Sequence, residues 1–172
     1  MTRCEECGFD LDAVTPESAP ATIRDFGRRY RAPLTRLLKG EDESVLRASP
    51  ADGVWSAIEY AAHVGGVFAL FDRRVAHIVA EDDPVLEVID HEAAVRDANE
   101  RGLDAAAVAD DLTAAADGLA ARLESLTPEQ WERVGTREGE RRTVRNVAQR
   151  AAHEGNHHLL DIGRVLRSVR QS

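Results

Sequence analysis

The stretch WSAIEYAAHVGGVFALFDRRVAHIVA, residues 55–80, contains the strongest helix signal in the chain. Ser56 and Glu59 have the spacing of a capping box, in which the two side chains satisfy backbone N–H groups at the start of a helix. Trp55 and Tyr60 occupy the two positions of a hydrophobic staple around that cap. The stretch therefore predicts a long helix, which the following sequence EDDP ends.

Three further long amphipathic helices are predicted from apolar residues that recur three and four positions apart. They cover approximately residues 15–38, 103–126 and 143–169. Thr15 followed by Pro16 predicts the start of the first of these helices, and Thr143 predicts the cap of the last. Together with the helix that begins at Ser56, they predict an all-α four-helix bundle with one long connection.

The shorter segments fill the gaps between these helices. The long connection, residues 81–102, is acidic and is predicted to hold a short helix near residues 92–100. Thr127 is expected to cap a helical turn that carries Trp131, and residues 135–142 predict a loop or small hairpin. We therefore expect an N-terminal Cys-x-x-Cys segment at residues 1–14 and the bundle at residues 15–172.

Composition excludes several classes of function. The formal net charge of −9 over 172 residues argues against a nucleic-acid-binding surface. No apolar run reaches the length of a membrane span, and the N-terminus lacks the apolar core of a signal peptide. We therefore expect a cytoplasmic protein with neither nucleic-acid nor membrane partners.

The predicted fourth helix carries the sequence HEGNHH, residues 153–158. It contains two pairs of metal-ligand residues at i, i+4 spacing, His153 with His157 and Glu154 with His158, and each pair could hold one ion. At about 100° per residue, His158 falls at the edge of the apolar stripe and Glu154 beside it. His153 and His157 fall roughly opposite, so a site in the bundle core favours Glu154 and His158.

His63, in an apolar part of the helix that begins at Ser56, is the best candidate for a third ligand. Glu59, one turn earlier, is expected to orient the His63 ring. Two histidines and one carboxylate would leave a coordination position open, as catalytic zinc sites require. The alternative is a hydrogen-bonded core histidine that binds no metal. His77 and His91 are interpreted as surface residues.

Two segments resemble motifs of the DinB-like superfamily. The sequence W-S-x-x-E-x-x-x-H runs from Trp55 to His63, and E-x-x-x-H-x-x-D-I runs from Glu154 to Ile162. The resemblance covers about residues 16–170 and implies an up-down bundle with a long crossover connection. It also implies a divalent metal on three such residues, with zinc expected first and nickel as the alternative, and frequent homodimers.

The superfamily includes mycothiol-dependent maleylpyruvate isomerases and bacillithiol transferases. Its characterised enzymes couple a low-molecular-weight thiol to a substrate at the metal. The resemblance therefore implies a metal-dependent thiol S-transferase using a mycothiol-like thiol. Arg137, Arg141 and Arg142 are candidates to hold the carboxylate of that thiol. A non-catalytic metal-binding or stress-response protein is the alternative, and a metal-free bundle that acts in protein association is a third. Isomerase activity is not expected, because the chain has no counterpart of the C-terminal domain of the isomerases.

Cys4 and Cys7 are the only cysteines of the chain, and the sequence around them resembles one half of a zinc knuckle. Structural zinc usually takes four ligands, so a second pair is needed. That pair could come from Asp10 or Asp12, from a histidine of the bundle, or from the same segment of a second subunit. The alternative is a mobile arm with reduced thiols; a redox pair is less favoured because no βαβ pattern follows.

Overall fold

The computed structural model describes residues 2–171, and the long helices within this range form a four-helix bundle. The elements in chain order are α1 (Ala19–Thr35), α2 (Ser44–Arg47), α3 (Ala57–Ala80), α4 (His91–Glu100), α5 (Ala105–Glu124), α6 (Pro128–Trp131), β1 (Val134–Arg137), β2 (Glu140–Thr143) and α7 (Val144–Val169). The all-α four-helix bundle that the sequence predicts is confirmed.

The four long helices α1, α3, α5 and α7 surround one apolar core. Helices α1 and α3 each pack against both α5 and α7, so α1 lies diagonally across the bundle from α3. Phe26, Tyr30 and Phe68 are fully buried at its centre. Burying an apolar side chain of this size contributes about 1.5–3 kcal/mol, which makes this aromatic group a main source of stability.

The caps predicted at Ser56, Thr127 and Thr143 are present. The backbone N–H of Ser56 donates to Glu59 over 2.8 Å at the start of α3, and the rings of Trp55 and Tyr60 pack at 5.4 Å. Capping boxes also begin α6 at Thr127 and α7 at Thr143. Local side-chain chemistry therefore sets three of the helix starts.

The boundaries predicted for α1 are wrong at both ends. The hydroxyl groups of Thr15 and Ser18 accept hydrogen bonds from each other's backbone N–H, at 3.3 and 3.0 Å, and close a turn ahead of the helix. The helix therefore begins at Ala19, one turn after Pro16. It ends at Thr35 because the next residue leaves the helical conformation, with φ −109° and ψ 81°.

Residues 135–142 form the hairpin β1–β2, one of the two alternatives that the sequence left open. The hairpin is extended by the connection between α3 and α4, since Leu86 donates its backbone N–H to Thr136 and Thr136 donates to Pro84, both over 2.8 Å. This layer covers one end of the cavity described below. None of the helices in residues 2–171 is long and apolar enough to cross a bilayer.

Candidate metal centre

Helix α7 packs closely against α1 at Gly155. A Cβ atom at Gly155 would lie 2.6–2.8 Å from three carbons of the Phe26 ring, so a side chain does not fit. The buried Tyr30 hydroxyl donates to the Gly155 carbonyl over 2.8 Å. The helix can approach α1 this closely because position 155 has no side chain, and the neighbouring Glu154 lies next to this contact.

The structure brings the three predicted ligands together at one point between α3 and α7. Glu154 Oε2 lies 3.3 Å from His158 Nε2 and 3.9 Å from His63 Nε2. One ligand atom from each residue lies within 4.8 Å of the others. The side chains are 7, 18 and 17% exposed for His63, Glu154 and His158. Two imidazole nitrogens and one carboxylate oxygen at this separation are a donor set suited to a divalent transition metal.

The charges within this cluster favour an ion pair in the absence of a cation. Burial opposes ionisation of Glu154, but the nearby His158 and His63 imidazoles and the charge of Arg150 hold its pKa well below the usual range. Burial also lowers the pKa of His158, but Glu154 and Asp161 outweigh it and raise this pKa above its usual value. A cation at the cluster would therefore replace a proton on His158.

Asp161 orients the His158 ring from the side opposite Glu154. Its Oδ2 lies 3.0 Å from His158 Nδ1, and its Oδ1 accepts from Arg164 over 2.9 Å. Metal-binding histidines commonly donate their second N–H to a carboxylate, which directs the other nitrogen at the ion. Asp161 is the aspartate of the E-x-x-x-H-x-x-D-I motif, and its spacing of three residues from His158 is the sequence signal for this contact.

Glu59 does not orient His63, so that prediction is wrong. Its carboxylate accepts from Ser56 in the capping box and from Asn99 Nδ2 over 3.0 Å. The cap directs the side chain toward the start of the helix and away from the next turn. The His63 ring instead packs against Trp55, with 5.0 Å between ring centroids.

A cavity of about 490 Å³ opens beside the cluster, and both His63 and Glu154 line it. Its wall also includes Arg74, Arg137, Arg142 and Arg150. Within residues 2–171, the buried Nε atoms of Arg74 and Arg137 have no hydrogen-bond partner. Buried guanidinium donors without partners make this cavity favourable for an anionic group.

His91 also lines the cavity, so its interpretation as a surface residue is wrong. Helix α4 places its ring 5.0 Å from that of His63. Burial, followed by the charge of His63, lowers the pKa of His91 and so favours the neutral ring. His77 does lie at the surface, where it pairs with Glu81 at 3.3 Å with 40% of its side chain exposed.

Comparison with known protein families identifies the family of the chain. A sequence model of the DinB superfamily matches residues 28–162. The chain belongs to the DinB superfamily. Its three clustered residues, His63, Glu154 and His158, all lie in the matched part. A search of curated proteins finds no match.

Among solved structures, the chain is similar to YfiT from Bacillus subtilis, described as a probable metal-dependent hydrolase with an unusual four-helix bundle topology. The TM-score is 0.78 at 17% identity, with 88% of this chain and 86% of YfiT covered. This likeness establishes the shared fold.

A second cluster joins α7 to the N-terminal segment, which lies outside the part that matches the DinB model. Cys4 and Cys7, from the segment ahead of α1, meet His153 and His157 of α7. The helical period puts these two histidines roughly opposite the apolar stripe of α7, and the N-terminal segment covers them there, leaving 12 and 17% of their side chains exposed. A helical period identifies the face toward the bundle, but it contains no information about a distant segment that covers the other face.

The two thiols of this second cluster differ in their ionisation. The pKa of Cys4 is lowered to about 6, chiefly by the backbone amide of Cys7 and then by the nearby His153 imidazole. Burial raises the pKa of Cys7. Asp10, one of the alternatives for the missing ligands, instead accepts from the Asp12 backbone N–H over 3.1 Å and caps the short 3-10 turn Leu11–Ala13.

Proposed function

We propose that this DinB protein is a divalent-metal-dependent thiol S-transferase with a low-molecular-weight, mycothiol-like thiol as cosubstrate. The observation that carries the proposal is the cluster of His63, Glu154 and His158, two members of which, His63 and Glu154, lie in the wall of an arginine-lined cavity of about 490 Å³. Cavities of this size accommodate small-molecule ligands. Zinc is the first expectation for the ion and nickel the second.

His63, Glu154 and His158 would hold the ion. A bound divalent ion would keep a coordinated thiol as the thiolate near neutral pH. The cluster supplies three ligands from the described part of the chain, and the adjoining cavity gives a small molecule access to a further position. This openness favours an enzyme over a protein in which the metal only stabilises the bundle.

The arginines of the cavity would bind the carboxylate of the thiol or of its acceptor. Arg74 and Arg137 offer buried Nε–H groups, and Arg142 lies on the same wall. Arg141, the third arginine considered from the sequence, is two-thirds exposed and is not one of the residues in the cavity wall. Arg137 and Arg142 are therefore the better candidates from the hairpin.

His91 is placed to accept a proton in this reaction, since its ring faces the same cavity. The thiol would lose its proton to a base, and its sulfur would form a bond to an electrophilic carbon. The bond from that carbon to the leaving group would break, and the leaving group would depart with the electron pair. His91 is the base that the cavity offers for the first of these steps.

Two other functions make different predictions. A metal-dependent hydrolase, the description given to YfiT, would use water at the same position and need no thiol. A non-catalytic metal-binding protein would bind the ion and turn over neither kind of substrate. The partner expected in either enzyme is a small molecule.

The test combines metal-loaded protein, a thiol and an electrophile that becomes fluorescent on S-alkylation, such as monochlorobimane. Mycothiol is the principal thiol, with bacillithiol and glutathione for comparison. We expect conjugate formation that depends on the metal, is lost in His158→Ala and is retained in His77→Ala, a surface control. Ester or amide hydrolysis without conjugation would favour the hydrolase, and metal binding with neither activity would favour the non-catalytic protein.

A further inference from the structure

The N-terminal segment, residues 2–14, folds its two cysteines into a tight turn. Cys4 donates its backbone N–H to Phe9 and accepts from Gly8, both over 2.9 Å. Gly8 has a φ of 71°, a conformation that glycine adopts without strain. The turn brings both sulfurs to the same side, as a chelating Cys-x-x-Cys pair requires.

Contacts with α7 hold this turn over the second histidine pair. Arg164 donates to the Glu6 carbonyl over 3.3 Å, and the Phe9 ring packs 6.0 Å from the His153 ring. Cys4 Sγ lies 3.7 Å from His157 Nδ1. The segment and the helix therefore present two sulfurs and two imidazoles to one point.

We propose that Cys4, Cys7, His153 and His157 form a structural zinc site that fastens the N-terminal segment to α7. One ligand atom from each of the four residues lies within 4.8 Å of the other three. In tetrahedral zinc, such atoms are about 3.3–3.8 Å apart, so no pair would have to close by more than about 1.5 Å. Two cysteines and two histidines are a common donor set for structural zinc.

The His153 side chain supports this assignment independently. Both of its ring nitrogens are buried, and neither has a hydrogen-bond partner within the described chain. A buried imidazole with both nitrogens unsatisfied is unfavourable, and binding a metal ion would satisfy one of the two nitrogens. The ring is also held in place by Phe9, which belongs to the segment that the zinc would fasten.

The surroundings of His157 have the arrangement expected of a zinc ligand. Its Nδ1 faces Cys4, while its Nε2 lies 3.3 Å from Glu6 Oε2 and 3.6 Å from Asp161 Oδ2. A carboxylate behind the second nitrogen would fix the tautomer in which Nδ1 is free to bind. Four protein ligands would complete the coordination of the ion, which identifies the site as structural and separates it from the open site at His63.

This site would shape the cavity of the bundle. Leu11 of the N-terminal segment lies in the cavity wall with His63 and Glu154. Fastening the segment to α7 would hold Leu11 in that wall. The proposal nevertheless stands apart from the proposed function, because it needs no ion at His63 and no catalytic activity.

Cobalt substitution tests the proposal by reporting on sulfur alone. Cobalt bound to thiolates gives an intense near-ultraviolet charge-transfer absorption, which a site made of two histidines and a glutamate cannot produce. We expect this absorption in the reduced full-length protein, together with one zinc per chain that is lost in Cys4→Ser and in His153→Gln. His158→Ala should keep the absorption while losing the other ion, and His77→Gln should keep both.

Two outcomes would overturn the proposal. The first is absence of the thiolate absorption in protein whose two thiols are shown to be free and reduced. The second is an unchanged absorption in the double variant His153→Gln/His157→Gln, which would mean that the cysteines bind metal without the helix. Circular dichroism of each variant verifies that the bundle remains folded.

Discussion

The carboxylate of Asp161 lies 3.0 Å from Nδ1 of His158, on the side of the ring away from Glu154. The same Oδ2 atom is 3.6 Å from His157 Nε2. Asp161 thus contacts one histidine from each of the two clusters on α7. One side chain therefore orients a proposed ligand of the bundle site and a proposed ligand of the N-terminal site.

We predict that Asp161→Asn lowers the metal affinity of the bundle site by roughly 10–100-fold. The neutral amide accepts the His158 N–H less strongly, so the ring loses basicity and orientation. Competition with a chelator of known affinity measures the change. Asp117→Asn, at an exposed position of α5, is the control and should bind the ion as the unchanged protein does. Equal affinities for the two variants would contradict the role of Asp161.

Metal binding at the bundle site should weaken as the pH falls. The pKa of His158 is raised above its usual value. In the metal-free protein the ring therefore stays protonated up to a higher pH than an ordinary histidine. The ion must displace that proton, and affinity should fall by about tenfold per pH unit for each proton displaced. Calorimetry in buffers with different ionisation enthalpies counts the protons released. Binding without proton release near pH 6 would contradict this ionisation of His158.

The stability of the metal-free protein should depend on pH in the opposite direction to the metal affinity. A raised pKa in the folded state means that the ion pair of His158 with Glu154 stabilises the fold below the usual pKa of histidine. This contribution should be lost as the pH rises through the raised pKa of His158. Urea unfolding of metal-free protein at several pH values, compared with His158→Gln, measures it. A difference between the two proteins that does not change with pH would refute the linkage.

Gly155→Ala should destabilise the bundle by about 1–3 kcal/mol, because the added Cβ would overlap the Phe26 ring. Gly163→Ala is a matched control on the same helix, where a Cβ meets no described atom within 4 Å. That substitution should stabilise the protein by up to about 1 kcal/mol through helix propensity. Urea unfolding of both variants gives the free energies, and equal effects would contradict the close packing at Gly155.

Arg137→Met should raise the KM for a carboxylate-bearing substrate roughly tenfold or more, as expected for loss of a hydrogen bond to a charged group. Metal content should not change, because Arg137 is not among the clustered ligand residues. Arg141→Met is the matched control from the same hairpin, since Arg141 is two-thirds exposed and lies outside the cavity wall. The assay is the conjugation reaction described above. Equal KM values for the two variants would show that Arg137 does not contribute to substrate binding.

The homodimer expected from the Ala-rich helices and from the family stays a prediction. Ala-rich helix surfaces permit close packing, and a twofold axis is the commonest symmetry of such assemblies. Light scattering at micromolar concentration should give twice the mass of 18.8 kDa. A monomer mass under these conditions would contradict it.

Local sequence determined much of this protein. Capping boxes at Ser56, Thr127 and Thr143 placed three helix starts correctly, because each cap is completed by residues only three positions apart. The helical period also placed Glu154 and His158 on the inner edge of α7, since side-chain direction along a helix repeats every 3.6 residues. The choice of His63, Glu154 and His158 as candidate ligands needed nothing beyond this period and the family motifs.

Tertiary structure alone decided what each side chain meets across the fold. Sequence could not show that residues 2–14 cover His153 and His157, or that α4 brings His91 to the cavity, because these contacts join positions far apart in the chain. It also could not choose among the arginines of the hairpin, since Arg137 and Arg141 differ only in which face of the ribbon they occupy once it packs on the bundle. Periodicity specifies direction around a single element, whereas the packing of several elements specifies the partner found in that direction.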